Sequence, residues 1–278
     1  MIESRPLGRL GAGNAELPPP IVVFCKSHSG SRLVVKLLES AGIFMGAHCS
    51  QSGDSWDLLP VIRYLVSRHY PDYRAAMAGD DPLLNDMVEA AFARHLDGYA
   101  ARSGKPWGWK LCETTYVLPI IAHLFPGARY IHLLRDGRDV AFSNHTGPID
   151  EFWRKIFFGR ANIVSWRRMA LTSQAYNRAP HLFNAQHWLS SAGLGHQAAL
   201  SLGGQCLELR YEDLCLQPGA TARRLFDFLG LSARPDNLPR IFATSIGKFR
   251  RQPRRHRNAV LSLIASLQQS IGYPAKAD

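Results

Sequence analysis

Short apolar stretches rich in β-branched residues alternate along the chain with segments whose apolar residues recur at helical spacing. Residues 21–25 read Ile-Val-Val-Phe-Cys, the pattern of a strand buried on both faces. They lead through residues 26–30 into a helix-patterned run at 33–39. Further along, the pattern predicts a strand at 107–111, a helix at 117–125, a strand at 130–134, a helix at 139–144 and a strand at 207–211. A helix at 220–229 is expected to stop at Gly230, since glycine tolerates the left-handed turn that ends many helices. Strands alternating with helices imply an α/β fold with a central, mainly parallel sheet flanked by helices. Residues 151–202 carry helical periodicity at Phe152, Ile156, Ile163, Trp166 and Met169, then at Trp188, Leu189 and Leu200, and predict an all-helical insertion. Residues 1–20 are rich in Gly, Ala and Pro and read as a flexible tail, which leaves 21–278 as one domain.

Composition narrows this picture. The 278 residues are 46% hydrophobic and 20% charged, enough apolar material for a sizeable core and too much for a disordered or collagen-like chain. No window reaches the roughly 18 apolar residues of a membrane helix, and the polar start lacks a signal-like apolar stretch, so a cytoplasmic address is expected. The five cysteines include no C-x-x-C pair, which argues for reduced thiols over a disulfide framework or a thiolate zinc site. The net charge is +11, and six of the cations fall within residues 248–257. Such a run implies an anionic partner, either nucleic acid or a small polyanion such as a nucleotide phosphate.

Two segments are placed to bind an anion. Lys26-Ser27-His28-Ser29-Gly30-Ser31-Arg32 joins the first strand to the first helix, where backbone N–H groups and the helix dipole favour phosphate. An ordinary capped turn would use the same small polar residues. The loop is not of the G-x-x-x-x-G-K-[S/T] kind. The second segment, Arg135-Asp136-Gly137-Arg138-Asp139 with Ser143, follows the strand at 130–134, and open α/β sheets bind ligands at that end. A guanidinium fork and a hydroxyl suit a phosphate, although the same charges could be surface ion pairs.

Together these segments resemble the sulfotransferases that use 3'-phosphoadenosine 5'-phosphosulfate. Ser29-Gly30-Ser31-Arg32 is similar to the family's [K/R]-S-G-T-T loop, and Arg135 with Ser143 to its R-x(7)-S element. Arg210-Tyr211-Glu212-Asp213-Leu214 resembles its R-Y-E-D-L segment, and Gly247-Lys248-Phe249-Arg250 its G-K-W-[R/K] segment. The resemblance implies a P-loop-like nucleotide-binding fold and in-line transfer of a sulfuryl group to an acceptor hydroxyl or amine, with adenosine 3',5'-bisphosphate (PAP) as product. The N–H groups of residues 29–32 and the Ser31 hydroxyl would face the 5'-phosphate. His28 stands where the family carries a Lys or Arg, with Lys26 or Arg32 as the substitute cation. Arg135 and Ser143 would hold the 3'-phosphate, Tyr211 would pack near the adenine, and Lys248 and Arg250 would close over the phosphate, with Arg251, Arg254 and Arg255 as further candidates. Lys110 matches a sulfate-facing lysine. Glu113 is the first candidate for the general base and Asp54 the second, with His48 and Asp57 in the same region; Glu113 and Asp54 also read as helix caps.

Fixed cations can replace magnesium in sulfuryl transfer, and the chain has no H-E-x-x-H, so no metal is expected. The acceptor class implied is a small molecule or a carbohydrate. Trp56, Tyr64, Trp153, Phe157, Phe158 and Trp166 are read either as core or as its pocket. The alternatives are a nucleotide-dependent phosphotransferase, disfavoured by the absent Walker lysine, and a nucleic-acid-binding protein using residues 248–257. Steep salt dependence would mark the latter, which is the less favoured partner.

Overall fold

The computed structural model describes residues 17–99, 104–143, 178–232 and 243–276. Its centre is a four-stranded sheet in the order β2-β1-β3-β4, with β1 at Ile21–Cys25, β2 at Gly108–Lys110, β3 at Arg129–Leu134 and β4 at Cys206–Arg210. All neighbours are parallel, with Val23 level with both Lys110 and Ile131, and Leu133 level with Leu209. The apolar run of β1 is explained by this central place. Val22 and Phe24 point into a core on one face, while Ile21, Val23 and Cys25 point into a second core on the other.

The first face is built around an aromatic cluster. Phe92 meets the rings of Trp107, Trp109 and Phe125 at 5.6–6.0 Å, and Phe24 stacks on His132 at 4.7 Å. The helices here are α2 (Leu59–His69), α3 (Arg74–Met77), α4 (Pro82–His95) and α5 (Leu118–Leu124). The first three are not among the elements that the sequence pattern predicts. The second face is closed by α1 (Ser31–Ser40), together with residues of a helix that follows β4. A third core forms beside the sheet, where Val140 and Ala141 of α6 (Gly137–Ala141) and Trp188 of α7 (Pro180–Leu202) pack together. After β4 come α8 (Tyr211–Leu216) and α9 (Pro218–Leu229), and α10 (Arg254–Ser270) completes the third core through Val260 and Ile264.

All four expected strands are present within a residue or two of their expected ends. The helix expected at 139–144 starts at Gly137, because the Asp136 carboxylate accepts the Arg138 N–H and opens the helix earlier. Tyr211 is the first residue of α8 and not the last of β4. The helix ending at Gly230 is confirmed, with the glycine in the left-handed conformation at φ 65°. Of the expected helical segment 151–202, the described part is α7, which lies against the sheet; Gly195 meets the His132 ring so closely that a methyl there would collide with it. Residues 151–177, with Trp153, Phe157, Phe158 and Trp166, lie outside the described residues, as does the tail at 1–16. No described helix is long and apolar enough to cross a membrane.

Trp109 is fully buried in the aromatic cluster. Trp109→Ala is expected to lower the unfolding free energy by about 3–5 kcal/mol, the range for deleting a large buried aromatic, as read by chemical denaturation.

Candidate active site

The order β2-β1-β3-β4 makes the chain leave β1 and β3 on opposite sides, and a crevice opens at their carboxyl ends. Residues after all four strands gather there: the 26–30 loop after β1, residues 111–113 after β2, Arg135 after β3 and Tyr211 after β4. In the loop after β1, His28 has φ 66° and Gly30 has φ 88°. Gly30 is required twice over, because a methyl there would also run into the Tyr211 ring. The turn delivers the chain into α1 with no side-chain cap and no acidic residue in its first turn, so the first N–H groups of that helix lack partners within it.

The crevice has two clefts. The first, of about 520 Å³, is bordered by His28, Gly30, Ser31 and Arg32 on one side and by Asp54, Lys110 and Glu113 on the other, with Trp56, Leu59 and Arg63 at its rim. Lys110 is buried, and its ammonium donates to the Asp54 carboxylate at 2.6 Å. Burial opposes the Lys110 charge, but the sulfurs of Cys112 and Cys25 and the Asp54 carboxylate outweigh it and hold its pKa above the ordinary value. Asp54 also accepts from the hydroxyls of Ser50 and Ser52. Glu113 is different. Burial, reinforced by the Asp54 charge, pushes its carboxyl up.

The second cleft, of about 450 Å³, is bordered by His28, Arg135, Asp139, Ser143, Lys248 and Arg251. Arg135 donates to the carbonyls of His28 at 2.9 Å and Ser245 at 2.8 Å, and its guanidinium lies 4.5 Å from the centre of the Tyr211 ring. Its Nε is buried with no hydrogen-bond partner. Asp139 accepts from the N–H groups of Gly247 at 2.7 Å and Phe249 at 3.0 Å. Its carboxylate thus anchors the turn that carries Lys248 and Arg251. Burial pushes the Asp139 carboxyl up, while those two N–H groups favour its ionised form.

Of the residues singled out from sequence, His28, Gly30, Ser31, Arg32, Asp54, Lys110 and Glu113 meet at the first cleft, and Arg135, Ser143 and Lys248 at the second. Others fall elsewhere. His48 bonds the Asp57 carboxylate at 3.1 Å on the surface and is not in the cleft lining. Lys26 is buried beneath the loop, where its ammonium donates to the Ser27 carbonyl and hydroxyl, and burial pushes its pKa down to about 8. Ser29 is buried, its N–H turned to the Lys26 carbonyl. Tyr211 is a wedge between Gly30 and Arg135, its hydroxyl on that of Ser245 at 2.7 Å. Arg250 lies towards the Phe249 ring, and Arg251 takes the cleft position. The sequence reading missed Arg63, one helical turn after Leu59 on the same face of α2, and the anchoring role of Asp139. Tyr64 bonds Asp81 and is not in the cleft lining.

The architecture is that of an open parallel α/β protein with cations and helix N–H groups gathered at the strand ends, a class that takes anionic ligands. The chain belongs to the sulfotransferase family, whose model matches residues 19–236, and is accordingly a transferase. Among solved structures it is similar to a sulfotransferase from Alicyclobacillus acidocaldarius, at 16% identity and TM-score 0.54 over 92% of this chain and 97% of that one. It is also similar to the sulfotransferase domain of the Synechococcus PCC 7002 olefin synthase, at 17% identity and TM-score 0.51 over 95% of this chain and 98% of that one. Both are likenesses of fold.

Asp139→Ala would leave the Gly247 and Phe249 N–H groups without their acceptor. A loss of about 1–3 kcal/mol for each stranded donor is expected in chemical denaturation; an unchanged midpoint would mean that the turn is held by other contacts.

Proposed function

We propose that this protein transfers the sulfuryl group of 3'-phosphoadenosine 5'-phosphosulfate to an acceptor hydroxyl or amine, with the phosphosulfate in the first cleft and the 3'-phosphate in the second. The observation that carries this reading is that His28 borders both clefts. One ligand with an anion at each end can therefore span them. The residues fit such a ligand. Arg135 presents a buried Nε without a partner, Lys248 and Arg251 add charge, and the Asp139 carboxylate beside them is already engaged by two N–H groups. On the other side the open first turn of α1 supplies N–H donors.

The co-substrate supplies an activated sulfuryl group, and the work of the chain is to position it and to balance charge. Transfers of this kind have loose transition states in which placement and fixed charge dominate. Lys110, oriented by Asp54, offers a fixed cation at the floor of the cleft, and Arg32 another at its side. Glu113 is the general base in this reading. Asp54 is the weaker candidate because Lys110, Ser50 and Ser52 already donate to it. The acceptor, a small molecule or a sugar, would enter past the exposed ring of Trp56.

Titration calorimetry with PAP and with adenosine 5'-monophosphate tests the nucleotide assignment. PAP is expected to bind far more tightly, and Arg135→Ala and Lys248→Ala to erode that preference, by roughly 1.5–3 kcal/mol for a charge-assisted contact. Lys248 is exposed, so its replacement separates binding from folding. Ser143 already donates its hydroxyl proton to the Val140 carbonyl, so Ser143→Ala should cost less than either. Equal affinity for both nucleotides in the unmodified protein would overturn the assignment.

Glu113→Gln is expected to slow the release of PAP from the co-substrate, with water as acceptor, by about 10²–10⁴-fold. It should also stabilise the fold. Because the folded-state pKa of Glu113 is raised, its contribution is fully favourable below the unfolded carboxyl's value of about 4.3 and is lost as pH rises through the folded value. At neutral pH the glutamine therefore removes a cost, and a higher denaturation midpoint alongside lower activity is the expected pair of results.

A further inference from the structure

Two thiols meet at the floor of the first cleft. Cys25 ends β1, and Cys112 lies just beyond β2; each stands two residues past the paired Val23 and Lys110. Both pack on the α1 face of the sheet, and their sulfurs are 3.6 Å apart. Cys25 is fully buried, while Cys112 borders the cleft beside Lys110 and Glu113. Neighbouring strands run about 4.8 Å apart, within the roughly 4.4–6.8 Å Cα separation that a disulfide accepts. Closing the bond needs the sulfurs to approach by about 1.5 Å.

We propose that Cys25 and Cys112 form an oxidisable pair which a peroxide closes to a disulfide, and that this modification stops transfer at the adjoining site. Only the second half rests on the proposed function. The surroundings favour reaction here over the other cysteines. The S–H of Cys112 holds the Cys25 thiol below its ordinary pKa, against the effect of burial, and the Lys110 ammonium adds to this. Burial instead pushes Cys49, Cys206 and Cys215 up, and the thiolate is the reactive form.

The sulfur contact that lowers the Cys25 pKa holds Cys112 well above an ordinary thiol, so the thiolate rests on Cys25. Passage of the shared proton back across the contact gives the minor form with the thiolate on Cys112, which borders the cleft. This sulfur attacks one peroxide oxygen, the O–O bond breaks and hydroxide leaves, giving a sulfenic acid. The Cys25 sulfur then attacks the Cys112 sulfur, the S–O bond breaks and a second hydroxide leaves. The two thiol protons convert both hydroxides to water. Two thiols thus lose two electrons, and one peroxide is reduced to two waters. The new bond draws Cys112 towards β1 and carries with it the neighbouring Glu113, whose placement the transfer depends on. A displacement of about 1 Å at a reacting group costs on the order of 10²-fold in rate.

The test treats the full chain with hydrogen peroxide, maps its peptides by mass and follows PAP release from 3'-phosphoadenosine 5'-phosphosulfate with water as acceptor. A linked Cys25–Cys112 peptide is expected, with release slowed by at least about tenfold and both changes reversed by dithiothreitol. Cys112→Ser, compared before and after treatment, should show no loss. The proposal is overturned if Cys112 is oxidised without linking to Cys25, if the linked protein releases product undiminished, or if Cys112→Ser is inhibited equally. A protein that releases no product before treatment contradicts the proposed function instead, and the peptide map still decides the thiol pair.

Discussion

The Arg135 guanidinium is the constraint on which the arrangement of the site depends. It joins the loop after β1, through the His28 carbonyl, to the C-terminal segment, through the Ser245 carbonyl, and lies over Tyr211 at the start of α8. Its own carbonyl is fixed by the Trp188 indole N–H from α7. Segments more than a hundred residues apart in sequence are thus held by one planar group. A lysine could supply the charge but not this fork, because its donors sit on a single flexible point. The same group borders the second cleft, so the element that sets the shape also places its charge at that cleft.

The buried carboxylates of Asp136 and Asp139 beside this centre are matched by donors. Asp136 accepts from the Arg138 side chain in bidentate fashion and from the Gln268 amide, while Arg138 also lies 4.1 Å from the Phe249 ring. Breaking one member of such a set strands the others in a low-dielectric setting, typically at a cost of several kcal/mol. Asp136 and Asp139 therefore act on different parts: the first fixes α6 to α10, and the second fixes the basic turn to α6. The cations of Lys248 and Arg251 are thereby delivered at the surface without being buried themselves.

The strands were readable because a strand covered on both faces must be apolar throughout, as at Ile21–Cys25. Helices α2, α3 and α4 were harder to read because one side of each faces solvent and their polar residues interrupt the pattern. The cleft residues were legible where backbone fixes them and less so where packing does. Lys248–Arg251 is a single 3-10 turn, in which residues three apart share a side. This puts Arg251 beside Lys248 at the cleft and turns Arg250 away. Sequence similarity alone cannot rank neighbouring arginines in this way. His48 was misplaced for a related reason: its neighbourhood is set by Asp57, which also engages Arg94 of α4, a contact across 37 residues.

The loop after β1 departs from the pattern of the sulfotransferases in having His28 where Lys or Arg is usual, and Lys26 does not replace it, because its ammonium is committed to Ser27 beneath the turn. Burial weakens that charge, whereas the charge on Lys110 is reinforced by the sulfurs of Cys112 and Cys25 and by Asp54. The fixed side-chain cation at the floor of the first cleft therefore comes from β2, with Arg32 of α1 at the side. Such a division has a physical consequence. The α1 end can bind an anion through N–H groups whose strength does not vary with pH, while the charge that would balance the transferred group is held by a separate strand and tuned by a separate carboxylate. In the proposed reading, binding and chemistry would be set by different residues, and the loop could lose its customary cation without leaving the cleft uncharged.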